Sequence, residues 1–265
     1  SGTLTVAGTS SFTTSQNNAD ITLSRTDNAF TGTVALNTSG SGGDATVDNG
    51  TTALDMAASS VGGNLTLTSG NGSGIIDSGT VTVGGNLVAT TDAGSGVINL
   101  GTLEVDGTVA LTTDSNGAAT VVNDAGLNFA ASTVRGALSA TATTGDIVDS
   151  GNLTITGTST FITGADGSDI ILDASGNAFS SAVTLQADAG NETFGNITFV
   201  DSGAVRLHSS AGTSGDLYIN ASTDAAVGGN LNVTATTGNI TQGRAVTVTG
   251  TSSFTTAANN ADITL

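Results

Sequence analysis

Cysteine, proline, tryptophan and lysine are missing from this chain of 265 residues, and methionine and tyrosine occur once each. Without cysteine there is no disulfide framework, and the redox compartment stays open. Without proline no backbone N–H is removed, which suits a fold in which nearly every strand is interior and every amide must pair. Aromatic residues make up 3%, eight Phe and Tyr218, too few for the aromatic platforms that line polysaccharide clefts. Positive charge is equally scarce: Arg25, Arg135, Arg206 and Arg244 face 22 acidic residues, a net charge of −18. Such a surface repels phosphate backbones and anionic lipid, so neither nucleic acid nor membrane insertion is expected. No apolar run reaches the roughly 18 residues of a membrane-spanning helix. With no initiator Met and no signal peptide, the chain reads as a mature piece or an excised fragment.

What the chain does contain is Gly (38 residues), Ser, Thr, Asn and Asp around short runs of Val, Ile, Leu and Thr. The hydrophobic share of 37% is too high and too regular for a flexible linker. The β-branched runs point to an all-β fold.

Internal repetition organises these runs. The phrase GTSSFTTSQNNADITL at residues 8–23 returns as GTSSFTTAANNADITL at 250–265, and a third relative, GTSTFITGADGSDIIL, fills 157–172. Phe12, Phe161 and Phe254 align, as do Asp20, Asp169 and Asp262. Downstream, NAFTGTVAL and NAFSSAVTL align Phe30 with Phe179. These phenylalanines are expected to stack in a core. The large repeats run 8–156 and 157–249, with 250–265 starting the next period.

A shorter period lies within. GGNLTLTSGNGSGIIDSGTVTV from residue 62 is followed at residue 84 by GGNLVATTDAGSGVINLGTLEV, a step of 22. In NLTLT the leucines alternate with threonines, the period-two mark of a half-buried strand. Each unit is predicted to hold three short strands joined by corners, one coil of a right-handed parallel β-helix (β-solenoid). About eleven coils fill the chain, most of them roughly 21–25 residues long, within the range of repeat architectures. Residues 1–265 are therefore predicted to form one continuous solenoid without terminal caps. The final phrase is predicted to close on a strand equivalent to that at residues 21–23.

Several motifs invite chemistry and have a structural reading beside it. DSG recurs at Asp77, Asp149 and Asp201. Corner chemistry is expected, with Asp bonding local N–H groups and Gly supplying positive φ. GGN ends in Asn64, Asn86 and Asn230, with Asn152 in a related setting; Asn64 and Asn86, one coil apart, are expected to form a short amide ladder. GADGSDIIL lies one Ala away from a Ca²⁺-binding nonapeptide and makes Asp166 and Asp169 the candidate Ca²⁺ ligands. That chemistry needs tandem copies, and the stretches around Asp20 and Asp262 lack the glycines, so no cofactor is expected. Thr pairs (Thr66/Thr68, Thr80/Thr82, Thr154/Thr156, Thr247/Thr249) are expected to face outward, as in ice-binding solenoids, although they skip coils. Sequons are plentiful, for example at Asn37, Asn64, Asn152, Asn196, Asn232 and Asn239, in a chain where Ser and Thr are abundant. For catalysis the candidates are Asp201, Arg206 and His208, the latter two of one strand parity and expected to face solvent together. No triad, metal cluster or phosphate loop accompanies them, and no enzyme is expected.

The phrase type GNLxVTATTGNITQ…VTVTGTSSF…DITL resembles the repeat region of filamentous-haemagglutinin-like bacterial exoproteins, adhesins of two-partner secretion systems and related autotransporter passengers. The resemblance covers the whole chain and is one of style. It implies a right-handed β-helix stalk exported to the bacterial cell surface, acting in adhesion or biofilm through a receptor the sequence does not name. The first reading is therefore a structural shaft segment without chemistry of its own. The alternative is a subunit of an extracellular filament stacked end to end, and the further alternative, from the shared β-helix architecture, is a carbohydrate-active enzyme.

Overall fold

The computed structural model describes residues 2–187, 194–208, 215–219 and 225–265. Among them there is no helix, and the paired strands run parallel throughout, as a β-solenoid requires. The chain divides into two compact units, Ser1–Ala125 with Thr133–Gly136, and Gly126–Ser132 with Ala137–Leu265.

In the first unit the short sequence period is a stacking register. One coil holds the strands Leu65–Ser69, Ile75–Asp77 and Val81–Val83, at the places the alternation predicts. Leu65 pairs with Leu87 and Leu87 with Val109; Ile75 pairs with Ile98 and Val81 with Leu103. Residues of one parity therefore stack into inward columns. Ala45, Leu65, Leu87 and Val109 form one, and Val47, Leu67, Ala89 and Leu111 the next, all buried. Each buried Leu or Val contributes about 1.5–3 kcal/mol over its exposed state. The intervening threonines, Thr66 and Thr68 among them, face out. The ladder uses the amides that proline would remove: Leu65 donates to the Asn86 carbonyl and Ile75 to that of Val97.

In the second unit, strands Leu138–Ala142, Ser159–Thr163, Val183–Gln186 and Asp216–Ile219 form one stack. A second runs Leu127–Phe129, Ile147–Asp149, Ile170–Leu172, Ile197–Asp201, Leu231–Ala235 and Ser252–Thr256. The step along this stack is irregular: Ile170 pairs with Ile197, Ile197 with Leu231 and Leu231 with Ser252. The longest of these steps, from Ile197 to Leu231, shifts the phrase by one strand. Phe161 accordingly pairs with Ala140 and Leu185, whereas its sequence counterpart Phe254 pairs with Val233 in the other stack. The closing strand Ile263–Thr264 pairs with Ile240–Gln242, outside the stack that holds Ile170–Leu172. Within this unit, then, likeness of phrase does not carry likeness of position.

Four phenylalanines of the second unit pack as a row. Phe129 meets Phe161 edge-on at 6.1 Å, Phe161 meets Phe179 at 6.2 Å, and Phe179 meets Phe199 at 5.2 Å. In the first unit Phe12 stands edge-on to Phe30 at 5.7 Å. Phe30, Phe161 and Phe179 are buried, whereas Phe12 and Phe254 are half-buried. Phe129 and Phe199 complete the row without belonging to any repeated phrase.

Candidate functional site

The polar side chains at the corners are engaged from one coil to the next. In the first unit Asp20 Oδ1 accepts the Asp44 N–H at 3.0 Å, and Asp44 Oδ1 accepts that of Asn64 at 2.7 Å. Asn64 Oδ1 accepts the Asn86 N–H at 2.9 Å, and Asn86 Oδ1 accepts from Thr108 N at 2.8 Å and its hydroxyl at 3.0 Å. The second unit repeats the device through Asp146, Asp169, Asn196, Asn230 and Thr251, with N···O distances of 2.6–2.9 Å. The ladder expected of Asn64 and Asn86 exists, but side-chain oxygen meets backbone N–H where amide was expected to meet amide. At a corner the chain leaves its strand and its N–H loses the ladder partner, so a short side chain one coil below supplies the acceptor.

The DSG aspartates also reach between coils, which corrects the expectation of purely local bonding. Asp77 accepts from Gly101 N at 2.9 Å and from Thr102 N at 2.8 Å. Asp149 accepts from Asp173 N at 2.8 Å and Asn177 Nδ2 at 2.6 Å. Asp201 Oδ1 accepts from Phe179 N at 3.2 Å, and the local N–H groups of Gly203 and Ser202 also favour its ion. The glycines of the motif do not adopt positive φ. Gly151 is instead required by close approach, since a Cβ there would sit 2.3 Å from the Ala131 nitrogen. Burial pushes the Asp149 and Asp201 carboxyls up from their ordinary value, against the hydrogen bonds that favour their ions.

A set of buried polar residues went unnoticed in the sequence. Asn49 and Asn123 are fully buried. The Asn49 amide accepts the Phe30 N–H at 2.7 Å and donates to the Phe30 carbonyl at 3.0 Å. Asn123 does the same with Val105, at 2.8 and 3.1 Å. Asn28 and Asn177, one residue before each AF pair, accept from Leu4 N and Leu153 N. Buried hydroxyls act likewise at strand ends: Thr91 donates to the Gly96 carbonyl and Thr113 to that of Gly117. The repeated NAF phrase was the signal for Asn28 and Asn177. For Asn49 and Asn123 parity was the signal: Asn123 falls on the inward column of Ala119–Asn123, and Asn49 continues the inward parity one residue past Ala45–Asp48.

The catalytic candidates are committed separately. Asp201 is buried against Phe179. Arg206 Nε lies 2.7 Å from the Asp216 carboxylate, which is wholly buried. His208 is buried rather than solvent-facing, edge-on to Tyr218 at 5.8 Å. Its φ of 53° breaks the strand after Leu207, so the parity that would have put it beside Arg206 ends one residue early. Of the Ca²⁺ candidates, Asp166 is exposed, while Asp169 holds Asn196 through its backbone N–H and its amide. No group of three or more His, Cys, Asp or Glu able to hold a metal ion occurs among the described residues. Among the sequon asparagines, Asn64 and Asn196 are ladder rungs, and Asn152 and Asn239 accept from Gly176 N and Asp262 N. The members of the four Thr pairs are all exposed or half-buried.

The family described as Repeats of unknown function (DUF5649) matches residues 1–37, 116–186 and 194–265. No curated protein and no solved structure matches the chain. The stretch between the first two matches holds the GGN coils with the regular short step.

Proposed function

The chain belongs to this family of repeats, and we propose that it serves as a structural shaft segment of a secreted or cell-surface bacterial exoprotein of the adhesin kind. The shaft acts as a mechanical spacer. The observation that carries this reading is where the polar groups go. Asp and Asn side chains along the corners bond the next coil, and the conspicuous candidates Asp201, Arg206 and Asp169 are each held by neighbouring protein groups. Many of the outward places on the strands are taken by Thr, Thr66, Thr68, Thr82 and Thr154 among them, whose hydroxyls are polar. Twenty-two acidic side chains against four Arg keep such a surface apart from its copies.

Negative-stain microscopy of the native material tests the proposal. Isolated narrow rods or surface stalks support a spacer. Long uniform fibres assigning this chain to each subunit would replace it with the filament reading. Turnover of an acidic polysaccharide that disappears when Asp201, Arg206 and His208 are changed to Ala in a still-folded protein would replace it with the enzyme reading.

A further inference from the structure

Strands Ala119–Asn123 and Ile197–Asp201 have the same length and the same inward–outward alternation, with the last inward place taken by Asn in one and Asp in the other. Asn49 takes an equivalent inward place just after Ala45–Asp48. All three side chains accept the N–H of a core residue one coil earlier, Phe30, Val105 or Phe179. The two amides also donate to the carbonyl of that same residue. An ionised carboxylate has no proton to donate.

We infer that Asp201 is a proton-operated stitch: on acidification its carboxyl takes one proton from solvent and supplies the donor that the Asn49 and Asn123 amides provide permanently, tightening the coil against Phe179. Burial to 3% exposure favours the neutral acid, opposed by the N–H groups of Phe179, Gly203 and Ser202. The charged groups on the elements around it are otherwise engaged. Asp173, after Ile170–Leu172, donates its N–H to Asp149, and Arg206 is paired with Asp216. His208 lies edge-on to Tyr218. None of these is among the groups that move the Asp201 carboxyl. Asp149 is a different case, because its carboxylate already holds the Asn177 amide.

The sign follows from the raised folded value. The contribution is fully present below the ordinary Asp value of 3.8 and is lost as pH rises through the higher folded one. Thermal unfolding of the whole chain in dilute solution at pH 7 and pH 4.5 tests this, comparing wild type, Asp201→Asn and, as a control for general charge removal, exposed Asp166→Asn. Asp201→Asn is expected to raise the midpoint at pH 7 by roughly 2–4 °C beyond Asp166→Asn, and to flatten the pH dependence. A lower midpoint at pH 7, or an unchanged pH dependence, overturns the inference. If Asp201→Asn yields no folded protein, hydrogen exchange of the wild-type Phe179 amide decides. A protection factor higher at pH 4.5, by up to about tenfold for each unit the Asp201 value is raised, supports the stitch, and an unchanged factor overturns it.

Discussion

Asn123, at the end of its strand, and Asn49, one residue past the end of Ala45–Asp48, each continue the inward alternation, and each makes two hydrogen bonds to a single residue of the neighbouring coil. A buried amide in this geometry stands in for a strand residue: it presents the same donor and acceptor to a backbone that has begun to turn. Asn123→Ala leaves the Val105 N–H and carbonyl without these partners inside the core, and is expected to cost roughly 2–4 kcal/mol in urea-induced unfolding. The exposed pair Arg25 and Asp27 is a contrasting case. Hydrogen bonds from Arg25 and then Thr3 hold the Asp27 carboxyl down to about 2. An NMR titration should find its midpoint there, and Arg25→Ala should move it back towards the ordinary value. The pair's small contribution is present above the ordinary Asp value of 3.8 and disappears as pH falls through the folded one.

The strands join these residues into columns, and columns fail as units. Phe161 touches both Phe129 and Phe179, edge-on in each case. Phe161→Ala is therefore expected to cost about 3–5 kcal/mol by denaturant unfolding, near the upper end because its neighbours are fixed in separate strands. A half-buried ring such as Phe254 should cost clearly less in the same measurement. Corner rungs are weaker, being exposed to water. Asn86→Ala removes the acceptor for the Thr108 N–H and hydroxyl and should cost about 1 kcal/mol. The alternation of these strands was legible directly from NLTLT and its relatives. The corner contacts were not, because Asp and Asn serve local turns and coil-to-coil bonds equally well, and only the neighbouring coil decides between them.

Over the whole molecule charge is the dominant property. With a net charge of −18 and an isoelectric point near 4.1, copies repel one another at neutral pH. Solubility, followed by light scattering, is expected to pass through a minimum near pH 4 and to recover on either side. Added salt at pH 7 should weaken the repulsion between copies, since exposed charges are screened beyond about 10 Å at 0.1 M.

Taken by itself, the sequence determined the short period, the inward and outward parity of each strand and the all-parallel stacking that followed. These depend on alternation and spacing, which are local. Tertiary structure alone decided which stack each phrase entered. Phe161 and Phe254 belong to similar phrases, yet the long step from Ile197 to Leu231 advances the chain by one strand and separates them. It also decided that His208 turns inward, because a left-handed backbone at that residue ends the parity of the strand before it. A phrase specifies which side chains face the core, whereas the length of chain before it sets where along the coil it lands.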